Sequence, residues 1–148
     1  MSGINTMSSS GRISLLIVDD EEEIQNVLMR HFTMEGYDVQ TASNGVEALR
    51  VMDSHSFEIV ISDIMMPEMN GIELLKKIKD NYPLVHVISI TGYVTLSNLL
   101  DVLRYGADTC IFKPFKDLEE VTQAVEDAMK SLTKWQTKLK ELSLIRSH

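Results

Sequence analysis

From Ile13 onward the chain repeats one pattern five times: a short, nearly continuous apolar run, then a stretch with helical periodicity. The runs fall at Ser14–Val18, Tyr37–Ala42, Glu58–Ser62, Leu84–Ile90 and Thr109–Phe112. LLIV, EIVIS and VHVISI lack the polar alternation of a strand with one wet face, so they read as strands covered on both sides. Between them, Ile24, Val27, Leu28, His31 and Phe32 keep to one helical face, and Ile72, Leu75 and Ile78 recur with Lys76, Lys77 and Lys79 on the other. Gly36 and Gly106 are placed to end helices, Pro83 stops another, and Ser43 or Asn44 with Glu47 is placed to start one. Five βα units with short connections predict an α/β chain, a doubly wound five-stranded parallel sheet with right-handed crossovers and helices on both faces. In such sheets the chemistry sits in the crevice beyond the carboxyl ends of the strands.

Those ends carry a distinctive set of side chains. The first predicted strand runs into Asp19-Asp20 and then Glu21-Glu22-Glu23, the third into Asp63, the fourth into Thr91-Gly92 and the fifth into Lys113-Pro114. Each feature alone is ordinary: an acidic run commonly opens a helix, an aspartate commonly opens a turn, and a lysine beside a proline is a common loop residue. Four independent strand ends converging on one edge are not. Carboxylates gathered in a crevice repel one another unless a cation is present, and hard oxygen donors suit Mg²⁺. Asp19, Asp20 and Asp63 with Lys113 and Thr91 therefore predict an acidic, metal-dependent pocket that handles a phosphoryl group.

Composition narrows the function. The 148 residues are 44% hydrophobic and 24% charged, ordinary for one globular domain with a real core. A net charge of −8 argues against direct nucleic acid binding by this segment. A single cysteine, Cys110, makes no demand for an oxidising compartment. Residues 1–12 read as a flexible polar leader without a signal-peptide core, and no run is long enough for a membrane span, so a cytoplasmic location is expected. The scattered methionines, and His31, His55, His86 and His148, lack metal-ligand spacing and read as structural or exposed.

LLIVDDEEE, SDIMMPEMNGIELL, SITGY and FKPF, in this order and spacing, resemble the receiver domain of two-component response regulators over about residues 12–132. The resemblance implies a flavodoxin-like (CheY-like) fold with strand order 2-1-3-4-5. It implies that Asp63 is the phosphoacceptor for a histidine kinase or phosphotransfer protein, and that Asp19, Asp20, Asp63 and the backbone carbonyl of Met65 hold Mg²⁺. Lys113 matches the lysine that pairs with the phosphoryl oxygens, and Thr91 the hydroxyl that moves toward them on activation. Pro114 matches a proline after a cis peptide bond, and Gly92 a glycine in a crowded wall. Such a protein is a switch, not a metabolic enzyme, catalysing only its own phosphorylation and dephosphorylation. The alternative is a pseudo-receiver, an interaction module that works without phosphorylation.

The pattern departs from the family where Cys110 occupies the position, three before Lys113, usually held by an aromatic switch residue. Met65 and Tyr93 occupy the two positions that in this family influence phosphoryl lifetime, and neither aligns water well, so a long-lived phosphate is expected. A hydrolase resembling the haloacid dehalogenases would want an aspartate where Met65 stands, and a flavin binder would want a Ser/Thr/Gly-rich loop where Asp19-Asp20-Glu21 stands.

The last helical pattern outruns the domain. Leu118, Val121, Val125, Ala128, Leu132, Trp135, Leu139 and Leu142 alternate spacings of three and four, with no Pro or Gly from Asp117 to His148. Residues 13–131 are read as the receiver. Residues 132–148 are read as a helical extension, either a coiled coil that makes a homodimer or a linker to an output domain outside this chain.

Overall fold

The computed structural model describes residues 11–93 and 95–146. The elements are β1 (Ser14–Val18), α1 (Glu22–Met34), β2 (Asp38–Ala42), α2 (Gly45–Ser54), β3 (Ile59–Asp63), α3 (Gly71–Asn81), β4 (His86–Thr91), α4 (Leu96–Arg104), β5 (Thr109–Phe112) and α5 (Glu119–Arg146). The strands form one sheet in the order β2-β1-β3-β4-β5, every pair parallel. Leu16, Val18 and Val60 point to a layer made with Ala48, Met52, Leu74, Leu75, Ile78 and Val102. Leu15, Ile17, Ile59 and Ile61 point to the opposite layer, made with Leu28, Phe32, Val121, Val125 and Ala128. Burial on both faces is what the unbroken apolar runs required.

Element boundaries follow local chemistry. Asn44, not Ser43, caps α2, its side chain accepting from Glu47 N at 2.8 Å, while Glu47 Oε1 reaches back to Ser43 N at 3.3 Å. Asn70 caps α3 and Thr95 caps α4 in the same way. Gly36 and Gly106 take φ of 99° and 95° after α1 and α4, a region other residues avoid. β4 starts two residues later than the apolar run suggests, because Pro83 and Leu84 sit in a turn closed by Val85 N donating to Tyr82 O at 3.0 Å. β3 is displaced by one residue, with Asp63 as its last member.

At the amino end of the sheet, Glu58 is 2% exposed. Its Oε1 accepts weakly from Ser14 N at 3.4 Å, and its Oε2 has no hydrogen-bond partner among the described residues. Burial first, with Asp38 adding repulsion, raises its pKa from 4.5 to about 7. The folded state therefore holds the Glu58 proton more tightly than the unfolded chain does. Stability present below pH 4.5 is lost as the pH rises through about 7. Glu58→Gln is expected to flatten that slope and to stabilise the protein at pH 8 by on the order of 2 kcal/mol. Urea unfolding at pH 5 and pH 8 checks this; equal slopes in wild type and variant would refute it.

Candidate functional site

The acidic edge assembles because each strand stops there. Asp19 directly follows β1, is fully buried, and donates its backbone N–H to Ala42 O at 3.1 Å. Its Oδ1 accepts from Glu21 N at 2.8 Å, which turns the chain into α1. Gln25, one turn into that helix, donates to Asp19 O at 2.6 Å and to Ala42 O at 3.3 Å, tying the loop to the end of β2. Asp63 ends β3 at 3% exposure, and its Oδ1 accepts from Met65 N at 3.2 Å. Carboxylate oxygens of Asp19, Asp20 and Asp63 lie within 4.8 Å of one another, with only Asp20 exposed.

Lys113 crosses from β5 to join them. Its Nζ is 2.8 Å from Asp19 Oδ2, 2.9 Å from Glu21 Oε1 and 3.3 Å from Asp63 Oδ2. The Asp19 contact is the shortest of these three ion pairs. The peptide bond from Lys113 to Pro114 is cis. Burial alone would lower the ammonium's pKa, but Asp19, Glu21 and Asp63 outweigh it and hold Lys113 above its ordinary range. One cation does not balance the carboxylates around it. Burial, and then the charge of Asp19, raise the Asp63 pKa to about 6, and burial also raises Asp19 against the pull of Lys113. Paired buried carboxylates with a deficit of positive charge and hard oxygen donors fit a small divalent cation.

Thr91, the last residue of β4, is 1% exposed, but its hydroxyl is engaged elsewhere. It donates to Tyr93 O at 2.7 Å and accepts from Tyr93 N at 3.2 Å. The structure thus brings Asp19, Asp20, Asp63 and Lys113 together and holds Thr91 on its own loop. Glu21, read from the sequence only as part of an acidic run, proves to be a partner of Lys113. At Gly92 an added Cβ would touch only the Lys113 stem, at 3.8 Å. The tight position is Gly71, the first residue of α3, where a Cβ would lie 2.1 Å from Asp63 O and 2.6 Å from Ile64 Cα. Cys110 is half-buried against the first core layer, with its thiol pushed up by burial, which suits a packing residue and not a nucleophile. His31 and His86 are bonded to Thr122 Oγ1 and Asp108 Oδ2, and His148 lies outside the described residues.

Comparison with known proteins agrees with this geometry. A family model for the response regulator receiver domain matches residues 15–126. The regulatory protein AtoC of Escherichia coli is 36% identical over 115 residues, 78% of this chain and 25% of that protein. A CpxR homolog of Haemophilus influenzae is 40% identical over 111 residues, 74% of this chain and 47% of that protein. The chain therefore spans a quarter to about a half of the length of these relatives. Among solved structures, a CheY-like receiver from Methanospirillum hungatei superposes with a TM-score of 0.80 at 31% identity, covering 83% of this chain and 98% of that one. TrrA of Thermotoga maritima, solved in complex with Mg²⁺-BeF, gives a TM-score of 0.71 at 32% identity, covering 78% and 98%. With the sheet order, the acidic edge and these matches in agreement, the chain belongs to the response regulator receiver domain family of two-component systems.

Proposed function

We propose that Asp63 is a phosphoacceptor, and that its phosphorylation by a histidine kinase or phosphotransfer partner switches the affinity of this domain for other proteins. The observation that carries the reading is the junction of Lys113 Nζ with Asp19, Glu21 and Asp63 beside the Asp19, Asp20 and Asp63 carboxylates. An Asp63 carboxylate oxygen attacks the phosphorus of a phosphohistidine. The new P–O bond forms as the P–N bond breaks, and the imidazole leaves with the bonding electron pair. Lys113 exchanges carboxylate contacts for the transferred phosphoryl oxygens. Thr91 must release Tyr93 O before its hydroxyl can reach them, which couples transfer to movement of the loop that begins α4.

Asp19, Asp20, Asp63 and the Met65 carbonyl would hold Mg²⁺, which when bound supplies positive charge against the phosphoryl oxygens. Residues 13–131 serve as the receiver, and residues 132–148 as an extension. Leu96, Leu100, Leu103 and Phe112 stand exposed on α4 and β5, an apolar surface suited to a protein partner whose affinity the switch alters. Cys110 cannot supply a swinging ring, so the readout rests on Thr91 and Tyr93. Exposed Met65 and Tyr93 flank the site without aligning water, which favours a persistent phosphate.

Beryllium fluoride tests the reading, because a carboxylate-bound BeF₃ unit mimics a phosphoryl group. Together with Mg²⁺ it should raise the Tm of the wild type by several degrees, since a ligand at a hundredfold excess over its Kd adds about 2.7 kcal/mol. Asp63→Asn should show no such rise. No shift in the wild type, or an equal shift in Asp63→Asn, would overturn the assignment.

A further inference from the structure

Lys113 Nζ faces as many carboxylates as an ammonium has N–H donors. Asp19 Oδ2 lies at 2.8 Å, Glu21 Oε1 at 2.9 Å and Asp63 Oδ2 at 3.3 Å, and the Lys113 side chain is itself only 8% exposed. A phosphoryl oxygen therefore gains a donor on this ammonium only when one carboxylate gives way. The three are not equally able to do so. Asp19 is fully buried, its Oδ1 is held by Glu21 N, and separating it from Lys113 would leave a desolvated charge behind. Asp63 is nearly as buried and is the acceptor itself. The Glu21 side chain is 59% exposed and can turn out into water at little cost.

The place of Glu21 in the chain agrees with this. It is the N-cap residue of α1, in extended backbone with φ −91° and ψ 110°, yet its side chain makes no capping bond among the described residues. The side chains that cap helices well are short: Ser, Thr, Asp and Asn. Glutamate is long enough to pass the helix end, and here it spends its carboxylate on a lysine 92 residues away.

We infer that Glu21 is a latch on Lys113. In the resting domain its carboxylate occupies the donor that phosphoryl oxygens need, and it swings out before Asp63 accepts the group. The inference rests on the phosphoacceptor reading and adds a positioning residue to it. Glu21 acts through Lys113 and takes no part in the bond changes. With acetyl phosphate as donor, an Asp63 oxygen attacks phosphorus, the bond from phosphorus to the acetyl oxygen breaks, and acetate leaves with the electron pair.

Initial rates of phosphorylation by acetyl phosphate, read by intact mass on the full chain at saturating Mg²⁺, test this. Glu21→Ala removes both the charge and the reach. Glu21→Asp keeps the charge but is one methylene short of Lys113, and it caps α1 instead. Both variants are expected to load about threefold faster than wild type, the bias that one exposed ion pair gives an equilibrium. The beryllium fluoride concentration that half-saturates the Mg²⁺-loaded protein should fall by the same factor, since the latch competes for ground-state contacts. Glu21→Asp loading at the wild-type rate beside a fast Glu21→Ala would overturn the latch, because charge alone then accounts for the gain. So would a slow Glu21→Ala restored by Glu21→Asp, the mark of a residue that only builds α1. Asp63→Asn separates this inference from the reading beneath it. A wild type that gains no more phosphate than Asp63→Asn overturns both, whereas a wild type that loads, with both Glu21 variants at its rate, overturns the latch alone.

Discussion

Gly71→Ala is expected to destabilise the protein by on the order of 3 kcal/mol, lowering the Tm by about 10 °C. The cause is backbone against backbone. The first turn of α3 presses on the end of β3 so closely that Gly71 N donates to Ile64 O at 2.7 Å. A methyl at Gly71 would meet Asp63 O and Ile64 Cα at distances no carbon tolerates, and neither atom has a rotamer to escape into. Relief requires α3 to lift from the sheet or the Asp63 peptide to turn. Either movement also disturbs the carboxylate that the site is built around, so the response to Mg²⁺ and beryllium fluoride should weaken in parallel. Gly36→Ala is the control: its φ of 99° carries strain, but open space surrounds it, so the cost should stay near about 1 kcal/mol. Differential scanning calorimetry compares the two directly. A Gly71→Ala Tm within about 2 °C of wild type would refute the close-approach argument.

Lys113→Ala should produce the second large effect, and its pH dependence gives it a signature. The substitution leaves Asp19, fully buried, and Asp63, nearly so, without the ammonium that faces both. Removing one partner from a buried ionic cluster costs about 3 kcal/mol or more, because the remaining charges keep their desolvation penalty. The folded-state pKa values of Asp19 and Asp63 already lie above their ordinary range and should rise further in the variant. The folded variant then binds protons more tightly than its unfolded chain. Its deficit relative to wild type should therefore be largest at pH 8 and shrink as the pH falls through about 6. Millimolar Mg²⁺ should recover part of the loss at pH 8 by supplying the missing positive charge. Urea unfolding at the two pH values, with and without the metal, measures all three statements. A loss independent of pH and metal would mean that Lys113 contributes packing of its stem alone.

Much of this was legible in the residues. The unbroken apolar runs predicted strands covered on both faces, and helices on both sides followed, because a parallel sheet of such strands has no wet face. Asp19, Asp63, Thr91 and Lys113 could be placed on one edge because each immediately ends or follows a strand. What the residues could not carry was contact between segments distant in sequence. Glu21 looked like one more acid at the start of a helix, yet it is 2.9 Å from a lysine 92 residues away. Gly71 looked like a turn glycine, yet it marks where α3 touches β3. Thr91 is expected to move toward the transferred group on activation, and the partner its hydroxyl holds here, Tyr93 O, leaves no trace in spacing. The seam in α5 was visible as a pattern, but only the burial of Val121 through Leu132 shows where the body stops covering it.

The central claim is that Asp63 takes a phosphoryl group with the help of a divalent cation. Intact mass spectrometry after incubation with acetyl phosphate tests it most directly, on wild type and Asp63→Asn, with Mg²⁺ and with excess chelator. The account predicts a gain of one phosphoryl group, about 80 Da, in the wild type with Mg²⁺ only, and none in the variant. A wild-type chain that gains no mass at any Mg²⁺ concentration, or a variant that gains as much, would contradict it and leave the chain a receiver that signals by contact alone.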